Sequence, residues 1–146
     1  MKMQNVQFEE SVKNQLKISG LSVTTPRMNI AKILFLENKP MSIREIIRKT
    51  GKTAHFVTIY RTIDTLVKAK VLNQINIGFK NKYELSDMFR PHHHHAICEV
   101  CGQSTEIQNK KIEATLNSIT EDAGLKPTRH QFELYGICSK CINEKQ

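Results

Sequence analysis

Four cysteines, all in the last third of this 146-residue chain, fall into two pairs with metal-chelating spacing, Cys98-x-x-Cys101 and Cys138-x-x-Cys141. Two residues between the thiols let both sulfurs of a pair reach one ion, and four thiolates complete the tetrahedral shell of structural zinc. Such a shell leaves no open position for water, so this zinc would stabilise the fold rather than catalyse a reaction. The spacing predicts a four-cysteine zinc site with a small folded unit between the pairs.

A run of four histidines, His92 to His95, comes just before the first cysteine pair. In an extended segment alternate side chains point to opposite faces, so His93 and His95 share one face while His92 and His94 share the other. Imidazole with carboxylate partners suits zinc, iron, manganese or copper, and affinity alone does not choose among them. The run therefore predicts two metal half-sites. A solvated polar loop or a tag remnant is the alternative, although tags are usually terminal.

The residues between the cysteine pairs show the elements that must position these ligands. A strand is predicted to end at Glu106-Ile107, a helix covers Ile112 to Ile119 and stops at Gly124, and residues 131–137 return as a strand. The back of the chain is therefore predicted to be a small α/β unit.

The front half changes from helical to strand periodicity. Three short helices are predicted before residue 50. The first carries an apolar stripe at every fourth residue (Phe8, Val12 and Leu16), the second ends at Asn38, and the third opens with Ser42 and Glu45 as a capping box. A fourth helix is predicted over about residues 53–70. Residues 71–77 and 82–85 alternate around a turn at 78–81, which indicates a β-hairpin. Helices followed by a basic hairpin are typical of a winged helix-turn-helix, whose last helix enters the major groove of DNA.

Charge is divided unevenly between the two halves. Residues 1–82 hold 15 Lys/Arg against 5 Asp/Glu, a net +10, whereas residues 83–146 hold 7 against 9, a net −2. A strongly basic front half favours an anionic partner, and on charge alone nucleic acid, an anionic membrane and a solvated basic face all qualify. The winged-helix pattern favours double-stranded DNA. With no apolar run of signal-peptide or membrane-span length, we expect a cytoplasmic protein with reduced thiols and no membrane partner.

The predicted fourth helix has two distinct faces. Its buried stripe is predicted to contain Phe56, Ile59, Ile63, Leu66 and Val67. The opposite face carries small, hydroxyl-bearing and cationic side chains that suit a major groove: Ala54, Thr58, Arg61 and Thr65. The candidates for phosphate contacts are Arg27, Lys52, Arg61, Lys80 and Lys82.

Over nearly its whole length the chain resembles the ferric uptake regulator family. The matching stretches are 20–27, 58–63, 83–85, 92–102, 112–113 and 130–141. The resemblance implies an α+β protein with a winged helix-turn-helix DNA-binding domain over 1–85, a hinge at 86–92 and an α/β metal-binding dimerisation domain over 93–146. It implies a metal-dependent repressor of metal homeostasis or related stress genes that binds a palindromic operator as a homodimer. Peroxide sensing within the same family is the alternative.

The resemblance also implies roles for particular residues. Arg27, Tyr60 and Arg61 would contact the operator, and the four cysteines would hold zinc. A regulatory Fe²⁺, Zn²⁺ or Mn²⁺ would bind Glu84, His93, His95 and Glu106; a further site would comprise His92, His94, Glu113 and His130. The chain departs from the family at Lys39-Pro40-Met41-Ser42, where a histidine is common, and in a longer loop over 86–91, so that Asp87 is an alternative to Glu84.

Two other classes of protein compete with this interpretation. The histidines with Glu106 or Glu133 could form a hydrolytic zinc site, but the sequence has no HExxH motif and an enzyme needs no strongly basic winged helix. A metal-buffering module would keep the fold without binding DNA. We therefore expect a regulator and not an enzyme.

Overall fold

The computed structural model describes residues 2–51, 56–77, 80–128, 130 and 132–144, with the backbone alone for residues 2–4 and 77. The chain divides into two compact units, unit 1 over Met1–Pro91 and unit 2 over His92–Gln146. Unit 1 combines helices with a two-stranded hairpin, and unit 2 combines a three-stranded sheet with helices. The predicted α+β class is confirmed.

Unit 1 begins with four helices whose ends follow local sequence signals. The helices are α1 (Lys2–Ile18), α2 (Thr25–Glu37), α3 (Ile43–Thr50) and α4 (Phe56–Lys68). Helix α2 has Pro26 in its first turn and ends at Asn38, which adopts a left-handed φ of 49°. At α3 the Ser42 hydroxyl accepts from the Glu45 backbone N–H at 3.3 Å, and the Glu45 carboxylate accepts from the Ser42 N–H at 2.8 Å. The predicted capping box is confirmed.

The hydrophobic core of unit 1 takes residues from every helix and from the hairpin. Helix α1 contributes the predicted every-fourth-residue stripe, Phe8, Val12 and Leu16. Phe8 stacks on Phe35 with ring centroids 4.2 Å apart, and Phe89 meets Phe8 edge-on at 5.9 Å. Because Phe89 packs on this core, the segment after the hairpin stays with unit 1.

The buried face of α4 differs from the predicted one. Ile59, Ile63 and Leu66 are buried as expected, but Phe56 is 67% exposed and Thr62, at 8%, is buried. The Thr62 hydroxyl donates to the Thr58 carbonyl at 2.7 Å, so a polar side chain enters the core with its hydrogen bond satisfied. The prediction that Phe56 faces the core was wrong because the buried face is turned toward Thr62.

The hairpin of unit 1 pairs β1 (Leu72–Ile77) with β2 (Lys80–Leu85) in antiparallel register from Leu72↔Leu85 to Ile77↔Lys80. The predicted return strand from residue 82 was too short, because Lys80 and Asn81 already pair with β1. Met41 adds a further bridge: its N–H donates to the Tyr83 carbonyl at 2.9 Å, and the Tyr83 N–H donates back at 2.8 Å. This bridge joins the start of α3 to the hairpin.

Unit 2 contains β3 (His94–Cys98), β4 (Ser104–Ile107), α5 (Lys110–Asp122), β5 (Glu133–Gly136) and α6 (Ser139–Asn143). Its strand order is β4-β3-β5, with β3 antiparallel to β4 and parallel to β5. A parallel pair needs a long crossover, and the segment containing α5 provides it. Both predicted strands and the predicted helix between the cysteine pairs are confirmed.

Unit 2 buries little apolar surface of its own. Among the described residues, its buried apolar side chains are Ile97, Cys98 and Cys141, and no side chain of α5 is buried. Several large apolar side chains are instead exposed: Val100, Ile119, Leu125, Leu134, Tyr135, Ile137 and Ile142. A unit of this size with so thin a core needs further stabilisation, which metals or a second subunit can supply.

Candidate metal and nucleic-acid sites

The four cysteine sulfurs of unit 2 lie within 4.8 Å of one another. Cys98 ends β3, and Cys101 follows after a turn that Gly102 closes with a φ of +70°. Cys138 and Cys141 lie at the start of α6. The Cys101 and Cys138 sulfurs are 3.9 Å apart, and the Cys138 N–H donates to the Cys98 sulfur at 3.3 Å. The fold thus brings both predicted pairs to one point.

Two of these thiols have pKa values shifted in opposite directions. The pKa of Cys98 is lowered to about 6, first because the Cys101 backbone N–H donates to its sulfur and then because the Cys138 N–H does. The pKa of Cys141 is raised to about 12, first by its hydrogen bond with Cys138 and next by burial. One thiolate forms easily, whereas four together need a positive charge to neutralise them. The donor set and its spacing fit Zn²⁺.

A second cluster in unit 2 brings together His92, His94, Glu113 and His130, whose ligand atoms lie within 4.8 Å of one another. The Glu113 carboxylate lies 2.6 Å from His94 Nε2 and 3.3 Å from His130 Nε2. The Nε2 atoms of His92 and His130 are 2.8 Å apart. Three imidazole nitrogens and one carboxylate converge as they would around a tetrahedral transition-metal ion.

Helix α5 places Glu113 at the centre of this second cluster. Asn109 caps the helix by accepting from the Lys111 N–H at 2.9 Å, so Glu113 lies in the first turn. The pKa of Glu113 is lowered, first by its hydrogen bond with His94 and also by the nearby His130 and His92. Its carboxylate is therefore ionised at neutral pH, as a metal ligand must be.

The other two histidines also approach each other. The rings of His93 and His95 have centroids 4.9 Å apart, and both side chains are buried. His95 Nδ1 lies 3.1 Å from the Ser104 hydroxyl, which holds the ring on β3. Glu106, the predicted carboxylate ligand on β4, is directly opposite His95 in the strand register and is exposed. Cross-strand neighbours share a face of the sheet.

The remaining predicted ligands belong to unit 1. Glu84 lies near the end of β2 with a nearly buried side chain whose carboxylate pairs with the Arg90 guanidinium. Asp87 is exposed. Met41 precedes α3, and its side chain is buried in the unit 1 core. Glu84 thus has the more enclosed carboxylate of the two alternatives.

Most of the predicted DNA-binding residues are accessible, and two lie outside the described residues, Lys52 and Ala54. On α4, Thr58 and Arg61 are exposed, Tyr60 is 49% exposed, and Thr65 is half-buried with its hydroxyl donating to the Arg61 carbonyl. Lys80 is exposed on β2, Lys82 is half-buried, and Arg27 donates to the Ser22 carbonyl.

Sequence reasoning missed one feature of this surface. Val57, in the first turn of α4, is 61% exposed beside the exposed Phe56. In the predicted helix, Val57 follows Phe56 and lies one turn before Arg61, on the side predicted to be exposed. This position could have indicated from the sequence that Val57 is exposed.

None of the described helices is long and apolar enough to cross a membrane. A model of the ferric uptake regulator family matches residues 18–135. The ferric uptake regulation protein of Campylobacter jejuni is 33% identical over 154 aligned positions, which cover 99% of this chain and 97% of that protein.

Solved structures are similar as well. The ferric uptake regulator of Vibrio cholerae superposes with a TM-score of 0.73 at 30% identity, covering 86% of this chain and 98% of that one. The Helicobacter pylori regulator, whose structure is described as revealing three functional metal binding sites, superposes with a TM-score of 0.79 at 23% identity, covering 94% and 93%. At that identity the likeness concerns the fold alone.

The chain belongs to the ferric uptake regulator family. Its members are metal-responsive transcriptional regulators, with iron, zinc, manganese and peroxide branches, and not enzymes. The class of protein predicted from the sequence is therefore confirmed at the level of the family.

Proposed function

We propose that this chain is a cytoplasmic, metal-dependent repressor that binds a palindromic operator in double-stranded DNA as a homodimer and controls genes of metal homeostasis or related stress. The observation that carries the proposal is the pair of ligand clusters in unit 2, four thiols and a three-histidine, one-carboxylate group. Because the chain belongs to a family of metal-responsive regulators, we interpret the two clusters as metal-binding sites.

We assign the metals as follows. The four cysteines hold a structural zinc, and His92, His94, Glu113 and His130 form a second site. The regulatory Fe²⁺, Zn²⁺ or Mn²⁺ is held by His93, His95 and Glu106 with Glu84, or Asp87 in its place. These side chains would hold the ion through carboxylate oxygens and imidazole nitrogens, and the ion would supply positive charge at the site. The chain's own contribution is to keep the His95 ring fixed through Ser104 and the Glu84 carboxylate enclosed beside Arg90.

Metal and DNA binding would be linked because the proposed regulatory ligands come from both units of the chain, Glu84 or Asp87 from unit 1 and His93, His95 and Glu106 from unit 2. Metal and operator then favour the same conformer, and each must strengthen the binding of the other by the same factor, typically about 1–3 kcal/mol.

A homodimer is supported by the surface of unit 2. Strand β5 is an edge strand of the sheet, and Leu134 and Tyr135 on it are nearly half exposed. An edge with apolar side chains is a favourable place for another chain to pair. A second subunit covering this edge would supply the burial that the thin core of unit 2 lacks.

The DNA contacts follow from the charge of unit 1. We propose that Lys80, Lys82, Lys52 and Arg27 bind phosphates, which gives most of the affinity, and that Tyr60, Arg61 and Thr58 reach the base edges. Ala54 and Thr65 complete the predicted helix face. Phosphate binding releases counterions, so affinity must fall steeply as salt rises.

The test is to select duplexes from a random-sequence pool with the purified protein and to measure affinity for the winners by fluorescence anisotropy. Fe²⁺, Zn²⁺ and Mn²⁺ are supplied separately, and a chelator removes the weakly held ion. We expect tight binding with at least one ion and loss of binding on chelation. Equal affinity under every condition would remove metal control, and failure to enrich any duplex would remove DNA binding.

A further inference from the structure

Three large apolar side chains are exposed together at the beginning of α4. Phe56 is 67% exposed, Val57 61% and Tyr60 49%. The same helix buries Ile59, Ile63 and Leu66 completely or nearly so. Exposed apolar side chains that cluster on a functional element mark a surface that another molecule covers.

Helical geometry places these side chains beside a cation. Residues four apart are neighbours on a helix surface, so Phe56 adjoins Tyr60 and Val57 adjoins Arg61. Arg61 is exposed, and the first 82 residues carry a net charge of +10. A second copy of this basic surface would be repelled, whereas a polyanion with apolar features would be attracted.

The major groove of DNA has one apolar feature, the C5 methyl group of thymine. In a helix-turn-helix protein the first residues of the recognition helix are those that reach base edges. Helix α4 follows α3 along the chain, and Phe56 and Val57 are the first two of its described residues.

We propose that Phe56 and Val57 contact thymine methyl groups and are specificity-determining residues of the operator complex. The inference rests on the proposed function, because it requires α4 to enter the groove. Arg61 attracts the duplex whatever its sequence through the phosphates and can also donate to a base edge. The apolar pair selects thymine where the first turn of α4 lies, since cytosine offers no methyl group there.

The size of the effect follows from the burial of a single methyl group. Removing one buried methyl from thymine lowers affinity by about fourfold. Shortening Val57 to Ala removes the protein side of the contact with that methyl group. Once Val57 is shortened, removing the thymine methyl costs little further affinity, so the effects of Val57→Ala and of the missing methyl are not additive.

The experiment uses the full-length protein and the duplex selected from a random pool in the presence of Zn²⁺, Mn²⁺ or Fe²⁺. Each thymine of that duplex is replaced in turn by deoxyuridine, which removes only the methyl group. Affinities are measured for the unchanged protein and for Val57→Ala and Phe56→Ala. The control Ile18→Ala shortens another exposed apolar side chain of unit 1, one that is 80% exposed on α1.

We expect deoxyuridine at one or more positions to lower the affinity of the unchanged protein by about fourfold. In the variant that has lost the contacting side chain, Val57→Ala or Phe56→Ala, the same replacement should have no effect. The Ile18→Ala protein should respond like the unchanged one.

If a duplex is selected but deoxyuridine has no effect, or the same effect on all proteins, the inference is overturned and the proposed function stands. If no duplex is selected, both fail. A change of oligomeric state in Val57→Ala would show that the surface binds protein, which also overturns the inference.

Discussion

The guanidinium of Arg90 lies 3.8 Å from the carboxylate of Glu84, and the two side chains are only 10% and 5% exposed. A carboxylate so far removed from water needs positive charge close by. Arg90 supplies that charge from the segment after the hairpin, within the same unit. If Glu84 is a ligand of the regulatory ion, Arg90 is a fixed cation with which a divalent ion must compete.

Replacing Arg90 with Gln should therefore raise the affinity for the regulatory ion. Removing one positive charge near a divalent cation favours binding by on the order of 1 kcal/mol, which is about fivefold. Titration calorimetry with Mn²⁺ measures the change. Lys49→Gln, which removes the partner of Glu37 on the same unit, serves as the control. An unchanged affinity in both Arg90→Gln and Glu84→Gln would show that Glu84 is not a ligand.

Glu113→Gln should weaken the second site without affecting the cysteine site. The change keeps the shape of the side chain but removes the charge that His94 and His130 face. Losing a ligand should cost at least as much as losing an outer partner, about 10–100-fold in affinity. Competition with a chelating dye at neutral pH measures this for Zn²⁺. Glu121→Gln, on an exposed part of α5, should leave the Zn²⁺ affinity of the second site unchanged. An equal loss of affinity in Glu121→Gln would refute the assignment of Glu113 as a ligand.

Cys98→Ser should release one zinc per chain and lower the melting temperature of the protein, since structural zinc contributes directly to folding free energy. Elemental analysis and thermal unfolding give the two readouts. Zinc retention by the unchanged protein should also fall in acid, because protons compete with the ion for thiolates. Ser139→Ala, between the two cysteines of the second pair, is the control. Full zinc content and stability in Cys98→Ser would contradict the cysteine assignment.

Arg61→Ala should lower operator affinity by about 1–3 kcal/mol while zinc content and dimerisation stay unchanged. The side chain is exposed on α4, so its removal leaves no hole in the core. Lys126→Ala removes an exposed cation from unit 2 and should have little effect. Loss of the dimer in Arg61→Ala would instead make this arginine a structural residue.

Leu134→Asp should favour the monomer by placing a charge on the exposed edge strand β5. Sedimentation at several protein concentrations measures the association. Leu125→Asp is a matched control, because Leu125 is also exposed in unit 2 but follows α5 instead of lying in the sheet. Equal weakening by both variants would argue against pairing through β5.

Local signals predicted much of the fold. The capping residues of α3, the end of α2 at Asn38 and the stripe of α1 depend on neighbours in sequence, and the structure has all three. The orientation of α4 depends on distant residues instead. Hydropathy assigned Phe56 to the core, whereas packing turned Thr62 inward with its hydroxyl bonded to the Thr58 carbonyl.

For the ligand clusters of unit 2, too, local sequence signals predicted one part of the arrangement and the tertiary fold determined the rest. The two-residue spacing within each cysteine pair indicated a shared ion, and strand alternation separated His92 and His94 from His93 and His95. The meeting of Glu113 and His130 with two of these histidines came only from the family resemblance, because α5 and the crossover must fold before they approach. The Arg90 contact with Glu84 had no signal in the sequence.

The scarcity of buried apolar side chains in unit 2 has a consequence for the life of the protein. If unit 2 holds the proposed ions and pairs with a second subunit, it becomes more resistant to unfolding as the ions and the subunit grow abundant, by mass action. Newly made copies that have bound neither metal nor a second subunit would then be the most susceptible to proteolysis. The cell's supply of metal would then set how much regulator survives as well as how tightly each surviving copy binds its target.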